Sequence, residues 1–441
     1  MSKILISFFS GLYHNDEIQV GTFFDGLSKA LIRNGNEVLL LATDDFLPVA
    51  WNGYNRPTRY HKNYIQSKIK KFDPDLIITF NNSFIEGVER IVNCPIIVWD
   101  SDTFQYFNEK EKLIENKDRY TFLSFSTQGI KDYKKVGIEK SFLVKIGSEV
   151  QSKKMEKKYN ISFIGNPFFN STEKCYDFYK LQNDLKKKDS FFLSGVKRLR
   201  ILEKLLESGL AIFGPREWLI LQNFNINFSN CYKDENVFSH SHNELIYNRS
   251  NFSINIPHKQ NITGMPFRVA DIVRSDSLLI TEYKSDFFND LSFQKELDFL
   301  KKNIVYVSEN DVKSKIEYLT NNKQLLTELK EAQAKIGKLY SWDSKIKEIQ
   351  EITNINIFSE NKKNSNLIKK EQTLRINHKN DYYEIFFIFY IKIINFCKKR
   401  FNNKFFKLIE RKINYIKYKY SRSLLLIKKI KKNPDIKKEY K

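Results

Sequence analysis

Four cysteines in 441 residues, at Cys94, Cys175, Cys231 and Cys397, form no C-x-x-C pair and lie far apart. That spacing argues against a disulfide framework or a structural zinc site and fits a reducing cytosol. Proline (9) and glycine (15) are scarce for the length, so collagen-like and low-complexity readings fall away. Apolar runs long enough to cross a bilayer are also missing. The longest, Tyr382–Phe396, has 15 residues and contains Glu384 and Lys392, short of the roughly 20 apolar residues a span needs. The start, MSKILISFFSG, reads as a first buried strand rather than a leader peptide. What the chain does have is 41% hydrophobic and 15% aromatic residues, enough apolar surface for two or three packed domains.

Charge divides the chain. Residues 361–441 carry 24 Lys+Arg against 6 Asp+Glu, net +18; removing these from the totals of 74 and 52 leaves 50 and 46, net +4, for residues 1–360. The basicity therefore belongs to a tail and not to the body, which weakens a nucleic-acid reading of the whole.

Within the body, short apolar runs alternate with segments of helical length. Ile4–Phe9, Glu37–Thr43, Asp75–Phe80, Pro95–Asp100, Tyr120–Phe125 and Ser141–Gly147 read as strands, with helices over Val20–Gly35, Tyr64–Phe72, Phe84–Val92 and Thr127–Val136. The runs are nearly continuous in apolarity, as expected of parallel strands covered on both faces. A polar, lysine-rich linker, Gly147–Asn160, follows. The pattern then restarts with strands at Ile161–Asn166, Leu210–Pro215, Asn251–Ile256, Ser277–Glu282 and Asn303–Ser308, and an amphipathic helix over Leu199–Gly209. The expected fold class is α/β: two Rossmann-like doubly wound domains, 1–150 and 151–358, facing each other across a cleft, plus a basic helical tail, 359–441. Ligands of such units bind outside the carboxyl ends of the strands. In the tail, residues 382–432 mix Lys and Arg with Phe, Tyr, Ile and Leu at helical spacing, which predicts attachment to an anionic membrane surface; the alternative is a solvated, partly helical tail that packs on its own body or on a partner.

The most informative stretch is Leu245–Tyr283. It predicts a strand, a polar loop with Lys259, Thr263 and Gly264, a helix beginning near Pro266, and another strand. Gly264 lets backbone approach a ligand, and the free amides of the helix start suit a phosphate. Arg268 supplies a cation for a diphosphate; Asp271, one turn on, supplies a carboxylate for ribose hydroxyls. The alternative is a simple surface ion pair between the two. Gly165 and Gly214 end strands on the crevice side and are further nucleotide candidates, or plain structural turns. In the first domain the loop after the first strand carries Gly11, His14, Asp16 and Glu17. Gly11 suits acceptor contacts; any of the other three could deprotonate an acceptor hydroxyl, and His14 has the most suitable unperturbed pKa. Asp100-Ser101-Asp102 follows an apolar strand and could hold a divalent ion or cap the next helix, with Asp102 a candidate on the acceptor side. His240-Ser241-His242 has no third nearby ligand and reads as a polar loop.

The order Tyr247, Asn248, Ser250, Asn255, Ile256, then Thr263, Gly264, Pro266, Arg268, Val269, Asp271, Ile272 and Leu278–Tyr283 resembles the C-terminal domain of the spore-maturation-protein (CgeB-like) glycosyltransferases. These are relatives of the group 1 glycosyltransferases with the two-Rossmann-domain GT-B fold. The resemblance is clearest over about 245–350, through Leu339–Ile349; residues 1–240 match mainly in layout. It implies a metal-independent hexosyltransferase. Such an enzyme moves a sugar from a nucleotide-diphosphate donor to a hydroxyl of a glycan, glycolipid or protein in cell-surface polysaccharide or glycoconjugate synthesis. No cofactor beyond the donor is implied, and the enzyme would sit in the cytoplasm on the inner face of the membrane. Two acidic residues seven apart contact donor sugar and ribose in the wider superfamily; Asp271 matches the second, whereas the first falls on Thr263. Ser275, Asp276 and Ser277 replace a segment that is often glycine-rich. Three alternatives stand beside this reading: a metal-dependent GT-A transferase using Asp100 and Asp102, a nucleic-acid-associated protein binding through its tail, and an inactive transferase-like partner subunit.

Overall fold

The computed structural model describes residues 2–8, 22–42, 59–81, 87–100, 110–168, 190–223, 227–235 and 240–355, with the short pieces 13–14, 17–18, 83, 85, 104, 107, 225, 357 and 372–373. Two parallel sheets organise these residues. The first is built from β1 (Lys3–Phe8), β2 (Glu37–Ala42), β3 (Leu76–Phe80), β4 (Ile96–Asp100), β5 (Tyr120–Ser124) and β6 (Ser141–Leu143), in the order β2-β1-β3-β4-β5-β6, with Gln372–Thr373 pairing outside β2. The second comprises β7 (Tyr159–Ile164), β8 (Leu210–Phe213), β9 (Tyr232–Lys233), β10 (Ser250–Asn255) and β11 (Leu278–Thr281), in the order β9-β8-β7-β10-β11. In each sheet the order reverses direction beside the first strand, which is the doubly wound arrangement expected from the continuous apolar runs.

Strand burial explains why the runs do not alternate. Every residue of β3, β4 and β5 is buried, because helices cover both faces and one-sided polarity would leave charge in a core. One face carries Ile4, Ile6, Leu40, Ile78 and Trp99, the other Leu5, Leu39, Ile77, Val98 and Phe122. Helix α1 (Thr22–Arg33) turns Phe24, Leu27, Ala30 and Leu31 into the first of these cores and stops at Gly35, whose φ of 83° favours glycine. The other helices used below are α2 (Arg59–Phe72), α3 (Thr127–Lys135), α4 (Ser190–Glu203), α5 (His240–Asn248), α6 (Arg268–Val273), α7 (Gln294–Ile304), α8 (Glu309–Asn321), α9 (Lys323–Gly337) and α10 (Trp342–Thr353).

Three sequence expectations change. Over 84–92, where the sequence predicts a helix, the described residues contain a 3-10 turn, Val88–Arg90, and no α-helix. Residues 303–308 form no strand: Leu297, Leu300 and Ile304 continue the buried face of α7, and only Val305 bridges to Thr281. The lysine-rich linker is not loose. Lys153 pairs with Glu244, while Lys154 (2.9 Å) and Lys157 (2.7 Å) pair with the buried Asp276. The Asp276 carboxylate is thus matched by lysines of the linker. Burial by itself would raise the Asp276 pKa; the hydrogen bonds from Lys157 and Lys154 outweigh it and hold the group below the usual carboxylate range.

Helix α10 follows the second sheet in sequence and packs in the first lobe. Ser341 caps it, accepting from the Ser344 amide at 3.1 Å, and Trp342, Ile346 and Ile349 enter the core of the first sheet. Trp342 stands edge-on to Trp99 at 5.9 Å. A Cβ at Gly26 or Gly147 would meet the Trp342 indole at 2.7 Å, so both positions need glycine. Residues 342–355 and Ile357 therefore join the first lobe by packing. The outgoing linker and the returning chain run side by side, with Ser148 bridged to Ser341 and its amide donating to the Tyr340 carbonyl at 2.7 Å.

Candidate active site

At the carboxyl ends of β7 and β10 the second lobe gathers positive charge. Gly165 ends β7, and a Cβ there would meet the Phe163 ring at 2.8 Å and Arg268 Nη1 at 3.2 Å. Gly214, with φ 148°, lies so close to the Gly165 carbonyl that a Cβ would overlap it. These glycines bring two strand ends and the start of α6 into contact, and the Arg268 guanidinium lies over the Phe163 ring at 5.7 Å. Its Nη1 is buried and has no hydrogen-bond partner.

Beside it lies a residue that sequence reasoning missed. Arg198, on α4, is 2% exposed. It donates to the carbonyls of Asn166 and Ile256, stacks on Phe163 and Phe168 at 5.2 and 4.3 Å, and leaves its Nε without a partner. Burial first, and the neighbouring Arg268 charge second, push its pKa well down. Burial lowers the Arg268 pKa as well. Two adjacent guanidiniums, Arg198 buried and Arg268 half-buried, with no carboxylate paired to either among the described residues, are costly unless an anion joins them.

Lys197 (2.5 Å from Glu282) and Lys284, which donates to the Asn261 and Ile262 carbonyls, extend the cluster; burial lowers the pKa of both. Lys259 contributes its charge to each, and its amide donates to Ser194 Oγ at 2.8 Å. Arg198 and Lys197 were hidden because α4 begins at Ser190, ahead of the helix expected from Leu199, and nothing local distinguishes a buried arginine from a solvated one.

Thr263 and Gly264 do not face this cluster. Thr263 Oγ1 accepts from the Gln128 amide and meets Thr127 Oγ1, both at 3.1 Å; Asp286 accepts from the Thr127 amide and hydroxyl at 2.8 and 2.7 Å. A Cβ on Gly264 would fall 2.6 Å from Ser126 Cβ. The close approach that glycine permits is therefore to the first lobe, and the expected cradle of amides gives way to guanidinium groups. This clasp includes a Lys145–Asp290 pair at 2.9 Å. Beside it lies a small cavity of about 20 Å³, lined by Phe125, Met265, Phe287 and Tyr340 together with Lys145 and Asp286, room for about one water.

Asp271 is 7% exposed and accepts from Ser148 Oγ at 2.5 Å. It sits at the hinge, not paired with Arg268, and burial raises its pKa to about 6. Asp100 is wholly buried. It accepts from the Phe125 amide at 3.2 Å, and the Tyr133 hydroxyl lies against its carboxylate. The expectation that Asp100 and Asp102 hold a metal fails at Asp100, whose carboxylate is turned into the core to anchor the start of α3. Gly11, Asp16 and Asp102 lie outside the described residues; His14 pairs with Glu17 in a two-residue ladder and its side chain is not among those described. No cluster of three His, Cys, Asp or Glu side chains that could hold a metal occurs among the described residues.

Residues 190–351 match the family described as Glycosyl transferase-like. No curated protein matches the sequence. Among solved structures, Anabaena Alr3699/HepE in complex with UDP and glucose is similar at TM-score 0.52 and 9% identity, covering 80% of this chain and 99% of that one. T4 phage BGT in complex with UDP and Mn2+ has TM-score 0.46 and 12% identity over 80% and 100% of the two chains. For a mutant of S. aureus TarM in complex with Fondaparinux, alpha-GlcNAc-glycerol and UDP, the values are 0.45 and 15% over 67% and 59%. The fold is that of the GT-B glycosyltransferases, and residues 190–351, most of the second lobe with part of α10, match the glycosyl transferase-like family.

Proposed function

We propose that the chain is a glycosyltransferase that moves a sugar from a nucleotide-diphosphate donor to a hydroxyl of a glycan, glycolipid or protein acceptor. The observation that carries this reading is the pair at the strand ends, buried Arg198 and half-buried Arg268 with its Nη1 unpartnered, without a carboxylate partner among the described residues. A diphosphate would neutralise both. As the glycosidic bond breaks, negative charge builds on the leaving diphosphate; cations already fixed by Phe163, the Asn166 carbonyl and the Ile256 carbonyl need no reorganisation to receive it. Lys197, Lys259 and Lys284 reinforce that field. Charge neutralisation by side chains is also what supports a metal-independent reaction, with the CgeB-like transferases as the kin proposed from the Tyr247–Tyr283 motif.

His14 remains the proposed base, with Asp16 as its alternative, and Gly11 and Asp102 are proposed on the acceptor side. Residues 382–432 are proposed to hold the enzyme on the cytoplasmic face of an anionic membrane, on composition alone. Anionic liposomes should retain the full chain and release a chain ending at residue 358, whereas retention on single-stranded DNA alone would reverse that assignment.

The experiment for the reaction is a thermal-shift screen with UDP, GDP, ADP and dTDP and their sugar conjugates, followed by Arg268→Met. A ligand that binds only the native state raises the melting temperature. One nucleotide should do so with the wild type and fail with the variant. If Arg268→Met binds and turns over like the wild type, the diphosphate assignment is wrong.

A further inference from the structure

The residues His240-Ser241-His242, expected as a polar loop, instead open helix α5, whose Ile246 and Tyr247 are buried. His240, Asn243 and Tyr247 recur at three- and four-residue spacing and so share one face of the helix. Helix α5 packs against α6 of its own lobe and against α1 of the other, so it borders the seam between lobes. Two polar atoms on this face are buried with no hydrogen-bond partner: His240 Nε2 and Asn243 Oδ1. Asn243 is only 5% exposed. Tyr247 is buried within electrostatic reach of both Asp271 and Arg268, and His240 lies within electrostatic reach of Asp271. Unpartnered groups thus run along α5 toward the unpartnered Nη1 of Arg268.

Native proteins rarely leave buried polar atoms unpaired, since each forfeits its bonds to water. Unpaired groups that persist call for an explanation, and completion by a ligand is one. The chemistry on this face is specific. An amide oxygen accepts, an imidazole nitrogen accepts or donates, and Asp271 adds a carboxylate already committed through one oxygen to Ser148. A phosphate would be repelled by the amide oxygen and the carboxylate. An apolar group would leave all of them unsatisfied. Neighbouring hydroxyls on a sugar ring, each both donor and acceptor, match the set.

We propose that His240 and Asn243 form a subsite for the vicinal hydroxyls of a sugar ring in the donor, adjoining the arginine pair. The proposal rests on the reading of that pair as the diphosphate site. Ribose and the transferred sugar share this chemistry, and the test separates them.

Asn243→Leu and His240→Leu remove the unpaired atoms while keeping bulk. Calorimetric titration uses the nucleoside diphosphate that shifts the wild type most, its 2′-deoxy analogue and its sugar conjugate. Each variant should melt no lower than the wild type without ligand, yet bind the conjugate about 10-fold more weakly. If the subsite holds ribose, the same loss appears with the diphosphate and vanishes with the 2′-deoxy analogue. If it holds the transferred sugar, only the conjugate is affected. Wild-type affinity for all three probes, or a lowered ligand-free melting temperature in both variants, overturns the proposal and marks the two side chains as core polar groups. Loss of nucleotide binding in Arg268→Met without any loss in the α5 variants defeats the subsite alone. A wild type that no nucleotide shifts defeats the subsite together with the diphosphate reading.

Discussion

At the end of β4 in the first lobe, Asp100 is fully buried, and the Phe125 amide and Tyr133 hydroxyl meet its carboxylate. At the ends of β7 and β10 in the second lobe, buried Arg198 and half-buried Arg268 lie side by side, and no counter-charge is paired with either among the described residues. Both lobes share an architecture, and both place charge at the carboxyl end of a central strand. They differ in whether the protein answers that charge itself. A carboxylate met by its own backbone and tyrosine is a piece of structure. A pair of like charges left uncompensated holds a place for something absent, because folding alone gives no reason to keep it.

Mutation of the two sites should move stability in opposite directions. Asp100→Ala leaves the buried Phe125 amide unpaired and opens a void beside the Tyr133 hydroxyl, and a cost of about 3 kcal/mol is expected in denaturant melts. Arg268→Met removes one of two like charges and should leave the ligand-free protein as stable or more so, while kcat/KM falls about 10²- to 10³-fold. If Arg268→Met proves as destabilising as Asp100→Ala, the contrast between the lobes is false. A comparably large loss of stability, about 3–5 kcal/mol, is expected for Trp342→Ala. There the damage should fall on the first lobe, read by hydrogen exchange in β1, β3 and β4, although Trp342 follows the second lobe in sequence.

The hinge gives a pH test. Burial raises the Asp271 pKa in the folded chain to about 6, above its ordinary value of 3.8. Its contribution is therefore fully present below pH about 4 and is lost as pH rises through about 6, roughly 2–3 kcal/mol in all. Asp271→Asn keeps an oxygen for Ser148 and should flatten that decline, measured as melting free energy against pH. An unchanged profile would place the titration elsewhere. The smallest effect expected is for Asp286→Asn, which weakens the clasp on Thr127. A cost of about 1 kcal/mol is expected, with greater interlobe opening by small-angle scattering and little change in the stability of either lobe. Equal destabilisation of a lobe would make Asp286 a folding residue rather than a clasp.

Much of the fold is legible in local composition. Nearly continuous apolar runs such as Pro95–Asp100 and Tyr120–Phe125 can only be strands covered on both faces, and Gly35 ends α1 where the pattern says it should. The Arg268 position is legible through its motif. Arg198 is not, since its burial comes from β7 and β10, brought beside α4 from other parts of the sequence. Asp271 illustrates the reverse error. Its spacing from Arg268 suggests shared duty on one helical face, yet the linker residue Ser148 claims its carboxylate.

Sequence by itself determined what depends on neighbours along the chain: the parallel α/β class, the repetition of two such units, the restriction of basicity to the tail, and the segment rich in ligand-binding residue types. The tertiary structure decided which charges are paired. Asp100 became an anchor, Asp276 a lock for the linker lysines and Arg198 a companion to Arg268, because partners and water exclusion are set by contacts between residues distant in sequence.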